Sequence, residues 1–221
     1  GQPKRPGEIV PFLDPPPAGA YAEARSLLAR LEALDAAGGL TAHGQAMARP
    51  PLAPRLAHML LRAAAGGAAQ RAALIAAVLS EPGLGGREVD LAQRLANLDR
   101  DRTQRAKDAR LLAGRWAAMA PKASRQARIE GGALLGLASP RPGKPGKFQL
   151  VSGRGVYLDP TDALARSPWL AVAELGGGDA RDRILLAAPL DSDAIETAFA
   201  VQIGIEDRLA PDTQGRLKAT R

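Results

Sequence analysis

Residues 139–146 read SPRPGKPG, and the character of the chain changes on either side of them. Three prolines and two glycines argue against a helix or a central strand there, because proline lacks the backbone N–H that both structures use. Before this stretch, apolar residues recur with the helical period, whereas short apolar runs bounded by glycine-rich turns follow it. The chain is therefore predicted to be helical first and β-structured afterwards, with a small barrel or sandwich as the β part.

The first two-thirds of the chain are predicted to form short helices separated by proline and glycine. The first helix is expected to begin after Asp14 and to stop at Gly38, Thr41 to cap the second, and Pro54 to start the third. After two more helices, a long basic helix is predicted over residues 101–119. Its buried face is expected to carry Leu111, Leu112, Trp116 and Met119.

A last helix is predicted around Leu134, Leu135 and Leu137, just before the change at residue 139. Beyond the change, four strand-like runs are recognised, namely residues 148–152, 156–158, 169–175 and 184–187. The tail from about Gly204 is polar and shows no clear periodicity, so it is predicted to be flexible.

Positive charge is concentrated in the middle of the chain. The net charge is +7, and residues 61–130 hold 13 basic and 7 acidic side chains, whereas the segments on either side are close to neutral. Residues 94–128 alone carry ten basic residues against three acidic ones. Such a stripe fits a polyanion partner, since each neutralised phosphate releases condensed counterions. A solvated helix face remains an equal alternative.

Several function classes are disfavoured by what the sequence lacks. With no cysteine, a disulfide framework, a thiolate zinc site and a cysteine nucleophile are excluded. Residues 143–148 lack the spacing and the hydroxyl of a phosphate-binding loop. His43 and His58 have no carboxylate at metal-ligand spacing. No apolar run is long enough to span a membrane, so a soluble, cytoplasmic protein without membrane contact is expected.

Motifs in series resemble the accessory region that follows the two motor domains in DEAH-box ATP-dependent RNA helicases, most closely the bacterial HrpB type. They are FLDPPP (residues 12–17), LEALD (31–35), PLAPRLAHML (51–60), DLAQRL (90–95), GRGVYLDPT (153–161) and PWL (168–170). The resemblance implies a winged-helix-like segment at 12–53, a helical ratchet domain at 54–138 and an OB-like β domain at 139–203. Residues 1–11 would be a tail or an artificial extension, and 204–221 a flexible tail or the start of a further extension.

The resemblance implies a parent enzyme that uses ATP and Mg²⁺ in motor domains absent from this chain, and no cofactor or catalytic residue within the chain itself. Single-stranded RNA, or DNA, would pass between the motor domains and this region. The residues expected to contact its phosphates are Arg94, Arg100, Arg102, Arg105, Lys107, Arg110, Lys122, Arg125, Arg128, Lys144, Lys147 and Arg154.

Two other classes of function remain beside this one. An interaction scaffold would use the same basic and apolar faces to dock the motor domains or an activating protein. A stand-alone enzyme is disfavoured by the missing catalytic constellation, and a free-standing winged-helix transcription factor by the few basic residues between positions 20 and 60.

Overall fold

Helices come first and strands follow in the computed structural model of the chain, which describes residues 16–121, 136–141, 143–177, 182–199, 208–211 and 217–220. The helices are α1 (Ala18–Arg30), α2 (Ala42–Met47), α3 (Pro54–Ala65), α4 (Ala69–Ser80), α5 (Leu91–Arg100), α6 (Gln104–Met119) and α7 (Ser192–Phe199). The strands are β1 (Gly136–Pro140), β2 (Lys147–Leu150), β3 (Gly155–Tyr157), β4 (Trp169–Gly176), β5 (Asp182–Leu190), β6 (Arg208–Pro211) and β7 (Leu217–Thr220). The predicted order, helical and then β, is confirmed.

Within the described ranges, none of the helices combines the length and the apolar character that a bilayer crossing requires. Side-chain caps explain where three of them begin. Thr41, Asp90 and Thr103 each accept a hydrogen bond from a backbone N–H in the first turn of α2, α5 and α6. Such a cap satisfies a donor that has no partner inside the helix. The predicted cap at Thr41 and the predicted start of α3 at Pro54 are both confirmed.

The first helix is shorter than its apolar pattern indicates. It ends at Arg30, and Glu32 then adopts φ 57°, which turns the chain away from the helix axis. Leu34 and Leu40 pair as an isolated antiparallel bridge, so the apolar period that continues past Leu31 belongs to a tight hairpin-like turn. None of the side chains of α1 is buried.

The core between α4 and α6 is built from small residues. The buried side chains of α6 are Ala106, Ala109, Ala113 and Trp116, and they share a core cluster with four alanines of α4, namely Ala72, Ala73, Ala76 and Ala77. Small side chains let two helix backbones approach closely. The prediction that Leu111, Leu112 and Met119 are buried is wrong, since they are 59%, 40% and 42% exposed.

Five strands form a closed barrel in the order β1-β2-β3-β5-β4, with β4 pairing back to β1. All pairs are antiparallel except β3 with β5. Alternate side chains point inward, as the period of two requires. The interior is filled by Phe148, Leu150, Val156, Leu158, Leu164, Leu170, Val172, Ile184 and Ala187.

Strand β1 was not expected from the sequence. Leu137 pairs with Ala171 of β4, so the prediction of a last helix through Leu137 is wrong, whereas Leu134 and Leu135 lie outside the described residues. The strand ends at Pro140, and the missing N–H leaves the ladder intact because the next residue, Arg141, donates its N–H to the carbonyl of Lys147 at 2.8 Å. The first two residues of SPRPGKPG are thus strand, and β1 also crosses the predicted domain boundary at 138/139.

The helical part and the barrel are joined by side-chain packing and by a backbone hydrogen bond. Leu186 of β5 is fully buried within the helical core cluster. The N–H of Ala187 donates to the carbonyl of Val89 at 2.9 Å, and Asp90 pairs with Ala187 as a parallel bridge. The loop between α4 and α5 therefore lies along β5, and we call this contact the seam.

Regular structure also occurs where the sequence was featureless. Strands β6 and β7 pair in antiparallel register, with Arg208 opposite Thr220 and Pro211 opposite Leu217. The absence of a clear periodicity therefore did not reveal these two strands. The preceding helix α7 was not predicted either.

Candidate nucleic-acid interface

Three of the predicted cations lie exposed at the corner between α5 and α6. Arg100 is the last residue of α5, Arg102 lies in the connection, and Lys107 lies in the first turns of α6. Among the described residues, none of the three takes part in an ion pair or a side-chain hydrogen bond. We call these three residues the corner cations.

The corner has a fixed shape because two polar side chains cap the turn. The N–H of Thr103 donates to Asp101 Oδ1 at 2.8 Å, and the Thr103 hydroxyl in turn caps α6. Hydrogen bonds from Thr103 lower the pKa of the Asp101 carboxyl, which stays ionised. The cations are thus presented by an ordered turn that contains one fixed negative charge.

Arg94 has a different environment from the corner cations. Its side chain lies at the seam and the residue is only 6% exposed. Its Nε donates to the carbonyl of Glu88 at 2.5 Å, and its Nη2 donates to the carbonyl of Leu185 in β5 at 3.1 Å. Because a phosphate would have to displace these buried bonds, we leave Arg94 out of the nucleic-acid surface and assign it to the seam.

Arg105 and Arg110 are also engaged within the protein. Arg105 pairs with Glu81 through a 2.5 Å contact and donates to the carbonyl of Pro82 at 2.8 Å, although half of its side chain stays exposed. Arg110 donates to the carbonyl of Leu98. Both side chains therefore tie α6 to neighbouring segments, and they offer fewer donors to a ligand than their charge suggests.

Of the barrel residues predicted to bind phosphate, Lys144 and Lys147 are exposed, and Arg154 forms an ion pair with Asp182. Lys122, Arg125 and Arg128 lie outside the described residues. The predicted set is therefore divided between a helical corner and one side of the barrel.

A cleft of about 490 Å³ opens on the β2–β3 side of the barrel, and we call it the barrel cleft. Arg141, Lys147 and Tyr157 supply its polar and aromatic groups. Its remaining lining residues are Pro145, Gly146, Phe148, Gly155, Val156, Leu158 and Pro160. Sequence reasoning found Lys147 but missed Arg141 and Tyr157.

A second cleft, of about 450 Å³, lies at the seam, and we call it the seam cleft. Three arginines line it, Arg87, Arg94 and Arg183, with Glu174 as the acidic lining residue among those described. Asn97 donates to the carbonyl of Gly85 at 3.1 Å and holds the glycine-rich loop at its edge. Neither Arg87 nor Arg183 was predicted as a binding residue.

The two histidines meet in the helical part. His43 Nε2 and His58 Nδ1 are 2.9 Å apart, and His58 Nδ1 is 3.1 Å from the carbonyl of Leu31. Burial lowers the pKa of both rings, and the nearby Arg62 lowers it further. The two rings pack edge to face, with their centroids 5.0 Å apart. Within the described ranges no group of three or more His, Cys, Asp or Glu side chains could hold a metal ion.

Comparison with known proteins accounts for nearly the whole chain. No protein-family model matches it. Over 215 residues, 95% of the chain, it is 35% identical to the ATP-dependent RNA helicase HrpB of Escherichia coli K12. A stretch of 54 residues is 50% identical to the ATP-dependent RNA helicase DEAH13 of Arabidopsis thaliana, covering 24% of this chain and 4% of that protein. The chain is therefore similar to a DEAH-box helicase over nearly its whole length and corresponds to a C-terminal segment of such a protein.

Solved structures of this DEAH-box family agree with the sequence match. A crystal structure of the E. coli DExH-box NTPase HrpB matches 94% of the chain with a TM-score of 0.73 and 32% identity. A crystal structure of the E. coli DEAH/RHA helicase HrpB gives a TM-score of 0.67 at the same identity and coverage. The chain spans about 26% of the length of HrpB and corresponds to its C-terminal region.

The family resemblance drawn from the motifs is thereby confirmed, and the motifs can be placed in the fold. PLAPRLAHML enters α3, DLAQRL begins α5 with Asp90 as its cap, and GRGVYLDPT forms β3 and the turn after it. These motifs fix helix starts and turns. The signal that could have revealed the seam cleft is the alternation of Arg183 with the buried Ile184 in β5, which indicates an outward-facing arginine.

Proposed function

We propose that this chain is the accessory region of an ATP-dependent RNA helicase and that it guides single-stranded nucleic acid past the motor domains. The observation that carries the proposal is the similarity over 215 residues to a protein named as such a helicase. ATP and Mg²⁺ would be bound by the motor domains of the longer protein. This chain would supply contacts to the single-stranded nucleic acid.

We extend the proposal to the three structural units. Residues 12–53 would be the winged-helix-like segment, 54–138 the ratchet domain and 139–203 the OB-like domain. A closed five-stranded barrel supports the last label, since oligonucleotide-binding barrels have five strands. The short helices α1 and α2, with the Leu34–Leu40 bridge beside them, support the first label.

The corner cations are the helical residues best placed to bind phosphate. They are exposed, form no side-chain hydrogen bond or ion pair among the described residues, and lie within eight positions at the corner between α5 and α6. Lys144 and Lys147 would add contacts on the barrel. Such contacts position a strand without reading its sequence.

Salt-dependent binding of a labelled single-stranded RNA, followed by fluorescence anisotropy, tests the proposal. Three to five phosphate contacts predict a slope of log K against log salt of roughly −2 to −3.5. Replacing Arg100, Arg102 and Lys107 together by glutamine should reduce the slope by about 2, because three contacts at about 0.7 each are lost. A matched control that removes the same charge elsewhere is the triple replacement of Arg30, Arg49 and Arg71 by glutamine.

Binding that is absent, or equally weakened in the control triple, would contradict the proposal. A parallel titration with single-stranded DNA of the same sequence reports whether the chain prefers RNA to DNA, because only RNA offers the 2′-hydroxyl.

A second candidate function, an interaction scaffold for the motor domains or an activating protein, is favoured by one observation. The outer face of α6 exposes Leu111, Leu112 and Met119 around Arg115. Replacing Leu111 and Leu112 by serine should weaken association with separately supplied motor domains and leave RNA affinity unchanged. If the RNA affinity of this double variant fell, the RNA would instead lie on this face of α6.

A further inference from the structure

The outer face of the barrel carries an aromatic ring between two cations. Lys147 of β2 lies directly opposite Tyr157 of β3, and Tyr157 lies opposite Arg183 of β5. Residues opposite each other in a sheet project from the same face. Lys147 and Arg183 are exposed and Tyr157 is half-buried. We call these three residues the outer row.

The barrel cleft gives the outer row a concave surface. Tyr157 and Lys147 line it, Arg141 adds a third cation to the row, and none of the described lining residues is acidic. Gly155 lies two residues before Tyr157 on the same face of β3, and no atom lies within 4 Å of where its Cβ would be. The cleft is therefore open where a side chain would otherwise fill it.

We propose that the barrel cleft binds one unstacked base of a single-stranded RNA, with the base against the ring of Tyr157 and the adjoining phosphates at Lys147, Arg141 and Arg183. The inference rests on the proposed function and assigns it a site that differs from the helical stripe. Three adjacent strands place the two cations of the row about 10 Å apart, with the ring between them. An acidic peptide would use the cations alone, whereas a nucleotide uses the ring as well.

Arg183 connects this site to the seam cleft. It lies beside Tyr157 in the outer row and also lines the seam cleft with Arg87. A single-stranded RNA that extends from the barrel cleft past Arg183 therefore meets further cations in the direction of the helical part. The two clefts together give the strand a path across the barrel, which the positions of the basic residues in the sequence did not indicate.

The test uses the whole chain, a single-stranded RNA that carries 2-aminopurine, and three variants. Tyr157→Ala should weaken binding by roughly 5- to 100-fold, as alanine substitution does at other base-stacking positions, whereas Tyr157→Phe should keep the affinity. Gly155→Val should weaken binding to a similar extent, because the valine side chain would fill the cleft. The fold should tolerate this change, since a β-branched residue suits a β-strand. The fluorescence of the base should change on binding to the wild type and to Tyr157→Phe only.

Controls separate the cleft from general effects. Gln149→Val places the same residue on the neighbouring strand outside the cleft, and Arg71→Gln removes one exposed charge from α4. Both should bind as the wild type does. Thermal melting shows whether each variant is folded. If Tyr157→Ala proves unstable, the RNA affinity of Gly155→Val is the deciding measurement.

The test distinguishes a failure of the barrel-cleft proposal from a failure of the proposed function. Salt-dependent binding that is unchanged in Gly155→Val and Tyr157→Ala would overturn the cleft and leave the proposed function standing. Absence of RNA binding by the wild-type chain would overturn both.

Discussion

Replacing Arg94 by methionine tests whether one buried guanidinium holds the helical part to the barrel. Methionine keeps the unbranched apolar stem but removes the donors to the carbonyls of Glu88 and Leu185. Hydrogen bonds from a charged donor contribute about 1.5–3 kcal/mol each, so we expect a loss of about 3 kcal/mol or more. At about 2–4 °C per kcal/mol for a chain of this size, the melting temperature should fall by roughly 6–12 °C.

Urea unfolding followed by far-ultraviolet circular dichroism measures the change in the free energy of unfolding. Hydrogen exchange at the N–H of Ala187, which donates to the carbonyl of Val89 across the seam, should rise more than exchange in α4. Arg94→Lys should be intermediate, because an ammonium is a compact group without the fork that spans two carbonyls.

Arg100→Met provides the matched control, since it makes the same change at an exposed position on the same helix. It should stay within about 0.5 kcal/mol of the wild type. If Arg94→Met were equally neutral, or if Ala187 exchanged at its original rate, the guanidinium would not be holding the seam.

Two further predictions concern the helical part. Because burial lowers the pKa of His43 and His58, the unfolded chain binds their protons at a higher pH than the folded one. The free energy of unfolding should therefore fall as the pH is lowered through about 6.5, and urea midpoints across the range should show a smaller slope in His43→Asn. Gly85→Ala should destabilise the fold by more than Gly83→Ala, as urea unfolding would report. Both have positive φ, but only at Gly85 would a Cβ meet a backbone oxygen, at 2.2 Å, and equal losses would contradict that contact.

Local signals in the sequence predicted much of the fold because they act within a few residues. Thr41 and Pro54 fix helix starts through their own hydroxyl and ring, so their roles can be read without tertiary structure. The strands after residue 146 were likewise predicted from alternation and turns. Pro140 was misleading, since a proline at the last position of a strand leaves the ladder intact.

The packing faces were harder to predict because they depend on the partner element. In α6 the large apolar residues, such as Leu111, suggested the core, whereas the buried face is the alanine stripe that includes Ala109. Alanine carries little hydrophobic signal, and its value here comes from the close approach of α4. The role of Arg94 was equally hidden, because the carbonyl of Leu185 that it binds lies 91 residues away in the sequence.

Basic residues that cluster in the sequence are therefore not all available as free cations on the surface of the fold. Clustering in the sequence favoured the helical stripe, but three of its arginines are engaged in internal bonds, and the outer face of α6 is apolar around Arg115. The barrel is nearly neutral in sequence, yet it places Lys147 and Arg183 on either side of Tyr157. Since a strand of RNA needs exposed cations and a flat apolar surface together, the barrel meets that requirement better than α6. If this division is correct, serine at Leu111 and valine at Gly155 should impair two different interactions.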